Sequence, residues 1–131
     1  MSTVNRRMAD TAYSVSHDGD IVRVAGRSLR MEYMVLDAFW AHGRVLVLLD
    51  PAAYLDSVAY SRGRRKSREP LHNLRAYAPG GEVLWHAEQP QPDDHYYKVE
   101  SRDPLRVLSF SAFRCDLDPE TGRIVAKKSL K

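Results

Sequence analysis

Asn73-Leu-Arg-Ala-Tyr-Ala-Pro-Gly-Gly-Glu-Val-Leu-Trp85 reads as strand, tight turn and strand, and Phe113-Arg-Cys-Asp-Leu-Asp-Pro-Glu-Thr-Gly-Arg-Ile-Val125 repeats the pattern. In the first copy Leu74, Ala76 and Ala78 mark every second position, the period of a half-buried strand. Pro79-Gly80-Gly81 then supplies turn residues, and Val83 and Trp85 resume the strand. In the second copy Phe113, Cys115 and Leu117 alternate before the turn at 118–122, and Ile124-Val125 follows. A hairpin written twice implies a β-architecture assembled from repeating units.

Each hairpin is preceded by a similar strand: Arg44-Val-Leu-Val-Leu-Leu49 before the first, Arg106-Val-Leu-Ser-Phe110 before the second. The unit is therefore three strands. The second copy runs almost without interruption, whereas the first is split by residues 50–72. Since 45–49 is apolar at both parities, it predicts a strand covered on both faces, central to its sheet. An insertion on one repeat of a rigid scaffold is a common carrier of binding function.

Working outward, residues 1–19 read as a flexible polar arm ending in the turn residues Asp18-Gly19. Ile21-Val-Arg-Val24 follows, and Leu29, Met31, Tyr33 and Val35 then alternate as another strand. Ala41-His-Gly43 is a turn. Asp50 followed by Pro51 suits a helix N-cap and first helical position, with Leu55, Val58 and Ala59 at helical spacing. A short helix and an ordered loop are both compatible with 51–60. Gln89-Pro-Gln-Pro92 is an extended connector. His95–Val99 and residues 106–110 are further strands. Taken together, the expectation is an all-β fold: an antiparallel meander of about seven to nine short strands from two blade-like units. They would close as a small sandwich or curled sheet, with at most one short helix. Residues 20–131 form one β-domain with a charged insertion at 50–72.

With 131 residues, the chain is long enough to bury a modest core. Its 44% hydrophobic and 28% charged residues are ordinary for a globular protein. There is no apolar run of membrane-spanning length, and the N-terminus lacks the apolar stretch of a secretory signal. The single cysteine, Cys115, excludes an internal disulfide and suits a reducing, cytoplasmic location. A net charge of +3 is mild, but Ser61-Arg-Gly-Arg-Arg-Lys-Ser-Arg68 concentrates five basic residues.

The wording Leu74-x-Ala-Tyr-Ala followed by Gly80-Gly-Glu-Val-Leu-Trp85 resembles the blades of quinoprotein-type (PQQ-like) β-propellers. The match is close at 74–85 and weaker at 113–125, where Asp116 occupies an apolar position and no Trp follows. It does not reach that family's cofactor-binding residues, so no quinone site is implied. Propellers typically use four to eight blades, and this chain has material for about two, so closure by another route is implied. Stand-alone proteins of this size and style also resemble bacterial immunity proteins encoded beside polymorphic or contact-delivered toxins. That resemblance implies a cytoplasmic toxin inhibitor.

Candidate chemistry is sparse. The histidines at 17, 42, 72, 86 and 95 form no His-x-His or His-x-x-x-His pair, so zinc spacing is absent. Asp93-Asp94-His95 is the compact acidic trio, but successive residues there point apart, and a solvated turn is the expectation. Cys115 faces inward with Phe113 and Leu117, as a small apolar residue. His86 is a surface or rim side chain. There is no Gly-x-Ser-x-Gly and no phosphate-binding loop. The expected function is non-catalytic protein binding without cofactor or metal, as an immunity-type inhibitor covering a toxin's active site. Its contact residues would be Tyr54, Tyr60, Arg62, Arg64, Arg65, Lys66, Arg68, Asp93, Asp94 and His95, tyrosine and arginine being favoured at interface hot spots. The alternative is a small nucleic-acid-binding protein using the basic 62–68 loop on phosphates. A third reading is a β-repeat piece completed by partner chains.

Overall fold

The computed structural model describes residues 12–61 and 69–131. The all-β expectation holds: among these residues are eleven strands and one helix. The strands are β1 (Val15–Asp18), β2 (Ile21–Val24), β3 (Arg27–Arg30), β4 (Val35–Ala41), β5 (Arg44–Leu49) and β6 (Leu74–Tyr77). They continue as β7 (Val83–His86), β8 (Tyr96–Arg102), β9 (Leu105–Ser109), β10 (Phe113–Leu117) and β11 (Ile124–Ser129). They form three antiparallel meanders, in the orders β1-β2-β3, β4-β5-β6-β7 and β11-β10-β9-β8. Both hairpins read from the sequence are present, as β6–β7 and β10–β11. Each three-strand unit gains a fourth strand in front, β4 and β8 respectively.

The sheets stack with the β4–β7 sheet in the middle, and β5 shows why. Leu46 and Leu48 enter a core shared with the third sheet, including Leu105, Val107, Cys115 and Leu117. Val45, Val47 and Leu49 enter a separate core shared with the first sheet, including Val22 and Val24. A strand in a middle layer has no solvent face, so both parities must be apolar. Burial at this scale, about 25 cal/mol per Å² of apolar surface, dominates the stability.

The first sheet is the element the sequence hid. Val15–Asp18, inside the expected arm at 1–19, pairs with β2 as β1. The alternation Leu29, Met31, Tyr33, Val35 is not one strand. β3 ends at Arg30, and Met31–Met34 is a crossover between sheets, pinned by Met31 N to Asp20 O at 2.7 Å and Val35 N to Gly19 O at 2.9 Å. The pattern alternates because Leu29, Met31, Tyr33 and Val35 all line the first interlayer core, strand or not.

The insertion begins as read. Asp50 Oδ1 accepts from Ala52 N at 2.9 Å, capping helix α1 (Ala52–Ser61). Its inward residue is Tyr54, however, and Leu55 is exposed. Of Tyr60 only the backbone within α1 is described, and Arg62, Arg64, Arg65, Lys66 and Arg68 lie outside the described residues.

Both outer faces of the stack carry exposed charged and polar side chains, joined on the third sheet by the exposed pair Tyr97 and Phe110. Ser16, Arg23, Ser28 and Arg30 share one face of the first sheet, all exposed. On the third sheet, Arg106 faces Asp116 in register with Nε to Oδ1 at 2.7 Å, and Arg114 Nε meets Glu100 Oε1 at 3.0 Å. A fourth sheet would have to bury these charges at a cost their pairing does not offset. Light scattering should therefore give the mass of one chain, and a stable multimer would contradict the reading of these faces as termini.

Candidate partner-binding cleft

β6 is buried along its length, with Leu74 and Ala76 in the core shared with the third sheet. Arg75 and Tyr77 therefore face the other way, toward the first sheet. An arginine in that position needs a partner, and the Met31–Met34 crossover supplies Glu32. The contact is bidentate: Arg75 Nη1 donates to Glu32 Oε1 at 2.8 Å and Nη2 to Oε2 at 2.7 Å. Nη1 also donates to the Tyr77 hydroxyl at 3.3 Å, which donates in turn to Met31 Sδ at 3.3 Å. The nearby guanidinium holds the Glu32 carboxyl below its ordinary range, against the opposing effect of burial. Burial would lower Arg75, but hydrogen bonding to Glu32 and Tyr77 outweighs it and leaves the guanidinium firmly charged.

This fork forms part of the wall of an open cleft of about 780 Å³ where the first two sheets meet the insertion. Tyr33 and Glu32 come from the crossover, Tyr54 from α1, and Glu69, Pro70, Leu71 and His72 from the return segment. Arg75 and His86, directly paired across β6 and β7, complete it. His72 Nδ1 donates to Ala87 O at 2.8 Å, which fixes the ring against the end of β7. Burial, followed by the charges of Arg75 and His72, pushes His86 below its ordinary value, with Glu32 opposing. A second groove of about 450 Å³ adjoins, lined by Glu88 through Asp93 and sharing Pro70 and His72 with the first.

The expected contact residues divide. Tyr54 lines the cleft but is only 7% exposed. Its ring lies edge-on to Tyr33 at 6.4 Å and tilted against His95 at 5.6 Å, and its hydroxyl donates to Glu69 O at 3.2 Å. Tyr54 therefore anchors the insertion to the body. Asp94 and His95 are corrections: at 2% and 4% exposure they offer no contact surface. Asp94 Oδ1 is used internally, accepting from His95 N at 2.9 Å and Ser111 N at 3.1 Å. Asp93 is exposed, with φ of 61°, at the rim of the second groove. Glu32, Tyr33, His72 and Arg75 were not anticipated. The available signal was Arg75 itself, a charge at the parity opposite Leu74 and Ala76 on the strand next to β5, whose two faces are both covered.

Acid should weaken the fold in two stages. Burial holds His95, like His86, below 6.5, against the nearby Asp94 and Asp93 carboxylates. The unfolded chain then binds protons that the folded chain refuses. This contribution is complete above about pH 6.5 and is lost as pH falls toward the folded values. Glu32 and Asp116, held below 4.5 and 3.8 by Arg75 and Arg106, contribute above those values and lose it further down. Urea midpoints measured from neutral pH to about 3 should show both stages. In His95→Gln the upper stage should shrink, and a midpoint flat through the upper window would contradict the assignment.

Fold and cleft together define a class: a three-sheet antiparallel β-protein whose helical insertion helps to build a concave polar surface. Residues 12–129 match the family described as Domain of unknown function (DUF7957), and the chain belongs to that family. No curated protein and no solved structure matches it.

Proposed function

We propose that this chain is a non-catalytic protein-binding module: a cytoplasmic immunity-type inhibitor that seats part of a bacterial toxin in the cleft and so covers the toxin's active site. The observation that carries this reading is the continuity of the two concavities. Sharing Pro70 and His72, they run from Glu32 and Tyr33, past the insertion, to Asp93. The segment that interrupts the repeat thus builds a wall of this concave surface. The polar groups lining it are engaged in shaping it: Arg75 on Glu32, His72 on Ala87, Tyr54 on Glu69. Such fixed walls favour a preorganised docking surface over reactive groups. The similarity in style to small immunity proteins supplies the partner class.

Co-expression with the product of the adjacent gene tests the proposal. That product should be toxic alone and tolerated with this chain, and Tyr33→Ala with His86→Ala should lower protection while the protein stays folded. Absence of protection, or undiminished protection by the folded double variant, would overturn it. The alternative, phosphate binding through Arg62, Arg64, Arg65, Lys66 and Arg68, predicts nucleic-acid affinity that falls steeply with salt. A protein interface with an apolar centre weakens far less.

A further inference from the structure

We infer that the cleft receives a cationic side chain, the guanidinium or ammonium group of an arginine or lysine on the partner polypeptide. This inference rests on the reading of the cleft as a partner site and names the chemistry it selects. Hydrogen-bonding capacity decides the sign. Arg75 is the obvious hook for an anion, but most of its donors are already committed. Among the described residues Nε gives to His72 O at 3.4 Å, Nη1 to Glu32 and Tyr77, and Nη2 to Glu32. That accounts for four of the five N–H donors a guanidinium carries. An incoming carboxylate or phosphate would have to displace Glu32 from a bidentate pair.

The acceptors, by contrast, remain available. Each Glu32 oxygen receives one hydrogen from Arg75 and retains a second lone-pair direction, and the side chain is 56% exposed. Glu69 adds an exposed carboxylate on the rim. Tyr33 and Tyr54 meet at 87°, forming an aromatic corner, and tyrosine faces attract cations. Pro70 and Leu71 line the same cleft and suit the aliphatic stem of lysine or arginine. Desolvation and the charge of Arg75 lower His86 from its ordinary value, which reduces its repulsion of a cation.

Small probes test this independently of any toxin. Nα-acetyl-arginine amide, Nα-acetyl-lysine amide and Nα-acetyl-glutamate amide would be titrated against the intact protein, following the ring resonances of Tyr33, Tyr54, His72 and His86. The two cationic probes should give saturating shifts at these rings, and the glutamate probe should not. Glu69→Gln combined with Tyr33→Leu, which retains apolar bulk but removes one carboxylate and one aromatic face, should weaken the cationic probes about tenfold. Equal or tighter binding of the glutamate probe, or no saturable shift with either cation, would overturn the inference. If the cations bind and the neighbouring gene product does not, the cleft chemistry stands and the toxin reading falls.

Discussion

Replacing Gly122 by alanine is expected to destabilise the protein by about 3 kcal/mol, the sum of overpacking and a left-handed backbone. Gly122 closes the turn of the second hairpin with φ of 74°. A Cβ built there would run into the Trp85 ring, within 2.6 Å of Cδ2. Trp85, on the second strand of the first hairpin, is 8% exposed and donates from Nε1 to Pro119 O at 2.9 Å. Glu88 N also donates to Gly122 O at 2.9 Å. The tryptophan of one repeat therefore rests on the turn of the next. A double-mutant cycle with Trp85→Ala isolates this contact. Without the ring, Gly122→Ala should cost only the backbone term, roughly 1 kcal/mol. Additive effects in the cycle would show that the ring and the turn are not coupled.

Asn73→Ala should be more damaging, at about 4 kcal/mol, since it orphans several buried backbone groups at once. Asn73 is 1% exposed where the insertion re-enters the middle sheet. Its Nδ2 donates to Leu49 O at 2.8 Å and Tyr96 O at 2.7 Å, and its Oδ1 accepts from Tyr96 N at 3.1 Å. One amide thus stitches the end of β5 to the start of β8, tying the second sheet to the third. Urea unfolding would measure the loss. Asn73→Asp preserves the acceptor but sets a carboxylate against two carbonyl oxygens, and it should not rescue the alanine variant. A loss under about 1 kcal/mol for Asn73→Ala, the worth of a single ordinary hydrogen bond, would contradict the stitching role.

How much was legible follows from which residues carry a local signal. The two hairpins and β5 could be read because their alternation, or its absence, reports directly on which faces are covered. Asp50-Pro51 announced the helix for an equally local reason, the cap on Ala52 N. The first sheet left weaker marks. Its strands are four residues each, its outer face is polar, and its second turn runs through Ala25 and Gly26 at positive φ without the usual Asn-Gly signal. The middle sheet's need for a second cover was nonetheless implicit in the two-sided apolarity of β5. The cleft was legible only in outline. That the insertion would matter could be inferred from the unequal repeats. That Glu32 would meet Arg75 could not, because 43 residues of sequence separate them. Asp94 and His95 were misplaced for a related reason: an acidic turn reads as solvated until Ser111 folds back to use Asp94 as an acceptor.

Hydrogen exchange of the chain in complex with the neighbouring gene's product tests the central claim most directly. The account predicts a one-to-one complex with new protection concentrated at 32–33, 69–72 and 86–93, the walls of the two adjoining concavities. Absence of a complex, or protection confined to the charged outer face around Lys98, Arg106, Arg114 and Lys128, would contradict it.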